Sequence, residues 1–285
     1  MNFRKHTLAA GLYFVATPIG NARDITLRSL DILASADVLV AEDTRTARKL
    51  MDIHGIPLEG RSIVSFHDHS KDAKAERLAA EIAEGRSVAY VSEAGTPLVA
   101  DPGYELARAA IAAGCAVFSA PGASAVLTAL TVSGLGTDRF AFVGFLPSTK
   151  SQRLSELAAL RDAPFTLVFY ESPKRVGELL ANMCEVLGAD RDAALCRELT
   201  KKFEEVRRGS LSELASEYAD KSVKGEVVVL VGRAKDDFVD DGEILAALEE
   251  AMKTMRIKDA ATMVSGALGI PRRDVYQMAL GLGKQ

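Results

Sequence analysis

The sequence predicts an α/β protein. Apolar runs with the length and burial signature of strands alternate with helical runs, and the joints between them are short and rich in glycine and proline. The clearest joint is Val91-Ser92-Glu93-Ala94-Gly95-Thr96-Pro97-Leu98-Val99-Ala100-Asp101-Pro102-Gly103. The apolar run Ser87 to Val91 before it reads as a buried strand, and the Ala-rich run Tyr104 to Ala113 after it reads as a helix. Asp101 is expected to cap that helix, with Pro102 at its first position. In α/β proteins such turns lie at the carboxyl edge of the sheet, where ligands bind. Gly95 permits close backbone approach, and Pro97 and Pro102 restrict φ.

The first element is the apolar run Leu12 to Ala16, which reads as a central strand broken by Thr17-Pro18-Ile19-Gly20-Asn21. A helix is expected from Asp24 to Leu33, then a strand from Asp37 to Ala41 ending in four polar residues, Glu42-Asp43-Thr44-Arg45. Ser62 to Phe66 is a short strand ending in His67-Asp68-His69, and Ala75, Leu78, Ala79 and Ile82 make one face of a helix over Ala73 to Ala83. Cys115 to Ser119 is the next strand. It ends in Ala120-Pro121-Gly122-Ala123-Ser124, and a helix runs on to about Val132. This repetition predicts a parallel open sheet. A strand over Arg139 to Val143 is placed before a division at Gly144 to Ser148, which gives a first α/β domain over residues 11–145.

A second α/β domain is expected over residues 146–234, with helices from Lys150, Pro173 and Leu211 and strands at Phe165 to Tyr170, Ala193 to Arg197 and Val227 to Val231. Phe203 to Gly209 reads as an exposed strand and turn. The acidic stretch Asp236 to Asp241 marks a second division. Residues 240–285 read as three short helices, with the break at Gly269-Ile270-Pro271 resembling a helix-turn-helix connection.

At 285 residues, 48% of them hydrophobic, the chain can bury two ordinary cores. A net charge of −4 argues against wholesale polyanion binding, so any nucleic-acid contact must come from local basic pairs. Those pairs, Lys174-Arg175, Lys201-Lys202, Arg207-Arg208 and Arg272-Arg273, all lie beyond the first domain. The cysteines Cys115, Cys184 and Cys196 have neither metal spacing nor a disulfide framework, which fits a reducing cytoplasm. No signal peptide is expected from the polar opening, and no apolar run approaches the ~18 residues of a membrane span.

The motifs narrow the chemistry. There is no Gly-x-x-x-x-Gly-Lys-Ser/Thr, and no Gly-x-Gly-x-x-Gly follows the first strand. The joints carry prolines, which donate no N–H, and no lysine, so a phosphate-cradling role is disfavoured. A cofactor without phosphate, such as S-adenosylmethionine, suits them better. His67 and His69 are a two-residue pair, short of the three or four ligands of a metal site, so no metal is expected. Ser124 is not in a Gly-x-Ser-x-Gly elbow, which weakens a hydrolase reading.

Taken together, Leu12 to Asn21, Ala41-Glu42-Asp43-Thr44-Arg45, Ala94-Gly95-Thr96-Pro97 with Asp101-Pro102-Gly103, and Pro121-Gly122-Ala123-Ser124-Ala125 resemble the tetrapyrrole-methylase superfamily of S-adenosylmethionine methyltransferases. Glu171-Ser172-Pro173-Lys174-Arg175 and Arg197-Glu198-Leu199-Thr200-Lys201 narrow the resemblance to its small-subunit ribosomal RNA branch. That branch methylates the ribose 2′-oxygen of a cytidine in the decoding centre of 16S rRNA. The sequence departs from the pattern at Glu93, Ala100, Lys174 and Ser70, where aspartate, serine, histidine and asparagine are usual.

The resemblance implies two α/β domains of the class III methyltransferase type, a small C-terminal helical extension, a cofactor folded in the cleft between the domains, homodimerisation, and 16S rRNA or the small ribosomal subunit as partner. By motif position the cofactor contacts are Pro18, Ile19, Gly95, Thr96, Val99, Ser124, Ala125, Tyr170 and Val227. Glu42, His67, Glu93 and Glu171 are the candidates for taking a proton from the substrate, and Arg45, Arg175 and Lys201 for holding it. Two other readings stand beside this one: a tetrapyrrole C-methyltransferase, and a non-enzymatic RNA-binding protein.

Overall fold

The computed structural model describes residues 2–66, 71–234, 241–268 and 271–282. The chain divides into two compact units, Met1–Ala234 and Lys235–Gln285.

The first unit holds two sheets. Its first sheet is built from β1 (Gly11–Val15), β2 (Val38–Ala41), β3 (Ile63–Ser65), β4 (Ser87–Val91) and β5 (Val117–Ala120), in the order β3-β2-β4-β1-β5. Every pairing is parallel. The helices α1 (Leu27–Ser35), α2 (Thr44–Ile53), α3 (Lys71–Ala83), α4 (Tyr104–Ala112) and α5 (Ala125–Ser133) alternate with these strands. β1, β2 and β4 are buried along their whole length, as strands covered on both faces must be. Alternate residues divide between two cores. Tyr13, Val15, Leu39, Ala89 and Val91 meet Leu30 and Leu33 of α1 and Ala47 and Met51 of α2. Leu12, Phe14, Val40, Val88 and Tyr90 meet Leu78 and Ile82 of α3 and Leu106 and Ala110 of α4.

The sequence did not reveal α2. Asp43, a strand-end carboxylate whose favoured reading from sequence is a capping residue, does cap this helix, accepting the N–H groups of Arg45 at 2.8 Å and Thr46 at 3.3 Å. Only Ala47 and Met51 of α2 are buried, too few apolar positions to show a helical period.

The second sheet is built from β6 (Phe140–Phe145), β7 (Thr166–Glu171), β8 (Asp192–Arg197), β9 (Glu205–Ser210) and β10 (Val227–Val231), in the order β6-β7-β10-β8-β9. β6 and β7 run parallel, and the other pairs are antiparallel. The strand expected at Arg139 to Val143, placed with the first domain, therefore belongs to the second sheet. An apolar strand's own sequence does not say which sheet supplies its neighbour. The helices α6 (Lys150–Ala159), α7 (Val176–Leu187) and α8 (Leu211–Tyr218) supply Leu157, Leu179, Leu180, Met183, Leu211 and Leu214 to a core against Leu167, Phe169, Leu195 and Val229.

The opposite face of this second sheet is covered by α5. Val126, Ala129 and Leu130 pack with Val168, Ala194, Cys196, Val228 and Leu230, and Ile19 and Leu199 complete the cluster. Fully burying one such aliphatic side chain contributes about 1.5–3 kcal/mol. α5 thus begins at the carboxyl edge of one sheet and is buried against the other.

The second unit contains α9 (Asp241–Met252), α10 (Ile257–Leu268) and α11 (Arg272–Leu282). It has its own core of Ile244, Leu248, Ala260, Ala261, Val264, Val275 and Ala279. Gly269 and Ile270 of the expected break, and all but the last residue of the acidic stretch, lie outside the described residues. Among the described residues no helix is long and apolar enough to cross a membrane.

Candidate active site

The turns after β1, β4 and β5 meet at one rim. Thr17 and Gly95 exchange backbone hydrogen bonds, each N–H donating to the other's carbonyl at 3.0 Å. The Ser92 hydroxyl donates to the Gly95 carbonyl at 2.6 Å, and that of Thr96 donates to the Ala123 carbonyl at 3.1 Å. Gly95 has φ +80°, and a Cβ there would lie 3.2 Å from Ile19 Cγ2 and 3.6 Å from the Ala123 carbonyl. Only glycine meets both demands at low cost. Ser124 caps α5 by accepting the Leu127 N–H at 3.5 Å.

The second sheet provides the facing wall. Antiparallel pairing of Val227 with Glu171 brings the carboxyl end of β7 beside the amino end of β10. The Tyr170 ring lies 4.8 Å from that of Phe142 and 5.6 Å from that of Phe145. Burial holds this phenol above its ordinary pKa. Between the walls lies a cavity of about 480 Å³, with no lysine or arginine among its lining residues.

Of the expected cofactor contacts, Ile19, Gly95, Thr96, Val99, Ser124, Ala125, Tyr170 and Val227 line this cavity, and Pro18 does not. Of the candidate proton acceptors, Glu93 and Glu171 line it, Glu42 does not, and His67 lies outside the described residues.

The three expected substrate contacts divide differently. Arg45 is highly exposed, pairs with Asp43 at 3.2 Å, and opens onto a separate groove of about 930 Å³ with Arg48, Lys49 and Arg61. Hydrogen bonding to Arg45 holds the Asp43 carboxyl below its ordinary range. Arg175 is turned inward: its Nη2 sits 3.0 Å from the buried Glu171 carboxylate and donates to the carbonyls of Leu146 at 2.9 Å and Pro147 at 3.1 Å. Lys201 is also committed within the protein, at 2.8 Å from Glu198 and 2.7 Å from Glu226. Burial opposes the Lys201 charge, but these carboxylates hold the ammonium above its ordinary pKa. The loop carrying Lys201 presses on the first turn. Thr200 Oγ1 accepts the Asn21 N–H at 3.1 Å, and Lys201, Thr200 and Leu199 leave no room for a side chain at Gly20. Paired basic residues look alike in sequence whether they face solvent or an internal carboxylate, so these ion pairs left no signal there.

Asp101 was misread as well. The residue preceding α4 in the capping position is Gly103, and no side chain bonds there. The Asp101 carboxyl instead lines the cavity, and the backbone N–H groups of Glu93 and Leu98 favour its charged form. An aspartate three residues before an expected helix carries no further signal in sequence. Phe145, Ser172, Gly225 and Glu226 also line the cavity without having been singled out.

A parallel sheet joined through a shared helix to a mixed sheet, with a cavity at the first sheet's carboxyl edge and no lysine or arginine among the described residues that line it, defines a two-sheet α/β protein with a ligand-sized cleft. A family model described as Tetrapyrrole (Corrin/Porphyrin) Methylases matches residues 11–215, and one described as the RsmI C-terminal HTH domain matches residues 239–283. A protein from Mesorhizobium japonicum named ribosomal RNA small subunit methyltransferase I is 48% identical over 91% of this chain and 88% of its own length. A protein of the same name from Halalkalibacterium halodurans is 41% identical over 94% of this chain and 93% of its own. Among solved structures, a uroporphyrin-III-C-methyltransferase from Thermus thermophilus is similar with a TM-score of 0.56 and 24% identity, over 79% of this chain and 95% of its own. The chain belongs to the tetrapyrrole methylase family, in the branch of the ribosomal RNA small subunit methyltransferase I proteins.

Proposed function

We propose that the protein transfers a methyl group from S-adenosylmethionine to the ribose 2′-oxygen of a cytidine in the decoding centre of 16S rRNA. The observation that carries the cofactor is the cavity: three turns tied together by the Thr17–Gly95 backbone hydrogen bonds and by the Thr96 hydroxyl on the Ala123 carbonyl, with apolar and backbone groups and carboxyl groups along the walls and no lysine or arginine among the described lining residues. The relatives' names support the RNA substrate.

When bound, the cofactor supplies a sulfonium-activated methyl group. The remaining work belongs to the protein. Ile19, Gly95, Thr96, Val99, Ser124, Ala125, Tyr170 and Val227 would hold the cofactor, with Gly95 allowing the backbone to come close. The Thr17–Gly95 and Thr96–Ala123 hydrogen bonds fix the turns in advance, which favours alignment of donor and acceptor. Alignment of this kind can supply ~7–11 kcal/mol of barrier reduction. Glu93 and Asp101, the lining carboxyl groups without a described cationic partner, suit a positive sulfonium and disfavour phosphate, which favours an uncharged part of an RNA at the cavity. Arg45, which lines the separate groove with Arg48, Lys49 and Arg61, would meet phosphate there.

Labelled methyl transfer to unmethylated small ribosomal subunits, followed by mapping of the modified nucleotide, tests the reading. A 2′-O-methyl cytidine at the decoding centre is the expected product. Methyl incorporation into a porphyrin precursor and none into subunits would replace it with a tetrapyrrole reading.

A further inference from the structure

Four carboxyl groups line the cavity: Glu93, Asp101, Glu171 and Glu226. Glu171 is paired with Arg175, Glu226 with Lys201, and Glu93 is exposed to solvent. Asp101 differs from all three. Its Oδ2, like Glu171 Oε2, is buried without a hydrogen-bond partner among the described residues, but Glu171 Oε2 has Arg175 Nη2 at 3.0 Å and no described cation pairs with Asp101. Leu98 and Ala100, just before it, hold φ values of +70° and +53°, which non-glycine residues adopt at a cost and which cluster at functional sites.

Among the described residues, the charged groups that act on the Asp101 carboxyl are acidic. Glu42 follows β2, Glu93 follows β4, and the phenol of Tyr90 on β4 is itself buried and unpartnered. Burial first, then the charges of Glu42 and Glu93, push the Asp101 carboxyl up to about 6, against the backbone hydrogen bonds from Glu93 and Leu98. The Tyr90 phenol is raised by burial and by the Asp101, Glu42 and Glu105 carboxylates, so it stays neutral. A phosphate is repelled from such a place. A hydroxyl is not, because it brings the one donor that Oδ2 lacks.

We infer that Asp101 is the proton acceptor for the hydroxyl that is methylated. As the hydroxyl oxygen bonds to the methyl carbon, the carbon–sulfur electron pair stays on sulfur. The O–H electron pair remains on oxygen, and the proton passes to Asp101 Oδ2. The products are a neutral thioether, a methyl ether and a neutral carboxyl group. This assignment rests on the ribose reading above, and a general base of this kind typically contributes ~10²–10⁴-fold.

The experiment is single-turnover methyl transfer from S-adenosylmethionine to unmethylated small subunits between pH 5 and 9, for wild type, Asp101→Asn and Asp101→Glu. Calorimetric cofactor affinity and melting temperature are measured on each. Asp101→Asn should slow transfer by about 10²–10⁴-fold, keep the cofactor Kd within about three-fold, and lose the acid limb of the rate profile. In wild type that limb should have its midpoint near 6. Asp101→Glu should keep the acid limb and recover part of the rate. Asp101→Asn should also melt higher than wild type, since it removes a crowded charge; a merely structural aspartate would give a lower melting point and unchanged pH dependence. A rate within about three-fold of wild type in Asp101→Asn, or an acid limb that survives the substitution, overturns the role of Asp101 alone. Absence of 2′-O transfer by the wild-type protein overturns the ribose reading itself, and this assignment with it.

Discussion

Asp101 and Gly95 sit six residues apart on the same turn and fail in opposite ways when replaced. The folded protein binds the Asp101 proton more tightly than the unfolded chain does, because the carboxyl is held at about 6. The unfolded chain therefore carries fewer protons between about pH 4 and pH 6, and stability contributed by this group declines as pH rises through that window. Asp101→Asn removes the penalty. Its stabilising effect should be small at pH 4 and reach on the order of 2 kcal/mol by pH 7, read from denaturant unfolding at fixed pH. A gain that does not change with pH would contradict the crowding of carboxylates around it. Gly95→Ala places a methyl group at φ +80°, 3.2 Å from Ile19 Cγ2. It should cost about 1–2 kcal/mol of stability and weaken S-adenosylmethionine binding by roughly ten-fold or more, measured by calorimetry.

At the scale of elements, the basic residues separate into two kinds. Arg175 neutralises a carboxylate that is 4% exposed and ties down the carbonyls of Leu146 and Pro147 between β6 and α6. Arg175→Ala should destabilise the protein by on the order of 2–4 kcal/mol, because it strands a buried charge. Arg45→Ala should leave thermal unfolding unchanged and weaken binding to small subunits, with a shallower dependence on salt. Comparable melting points for the two variants would remove the distinction. Sequence could not draw it, since Lys174-Arg175 and Arg45 look equally solvated as letters. What sequence carries well is the local event: a continuous apolar strand, as in β1 and β4, and a proline- or glycine-bearing turn after it. It carries poorly whatever depends on a distant neighbour. β6 joined the second sheet, α2 hid behind its charged face, and the packing of Leu199, Thr200 and Lys201 on Gly20 left no local signal.

At the scale of the whole molecule, the two units keep separate cores. Ending the chain after Ala234 should therefore leave a cooperatively folding protein whose cofactor affinity stays within about three-fold of the full chain, measured by calorimetry and thermal melting. Loss of both would show that the helical extension is needed for the fold of the sheets. Within the first unit, α5 is the piece both sheets share: Ser124 and Ala125 form part of the cavity wall, while Val126, Ala129 and Leu130 are buried under the second sheet. The two sheets consequently cannot swing apart like the covers of a book without dragging that wall along and wetting an aliphatic seam. Substrate must enter and product must leave through small movements of the rim. Amide protons of α5 should therefore exchange only as slowly as the unit unfolds as a whole.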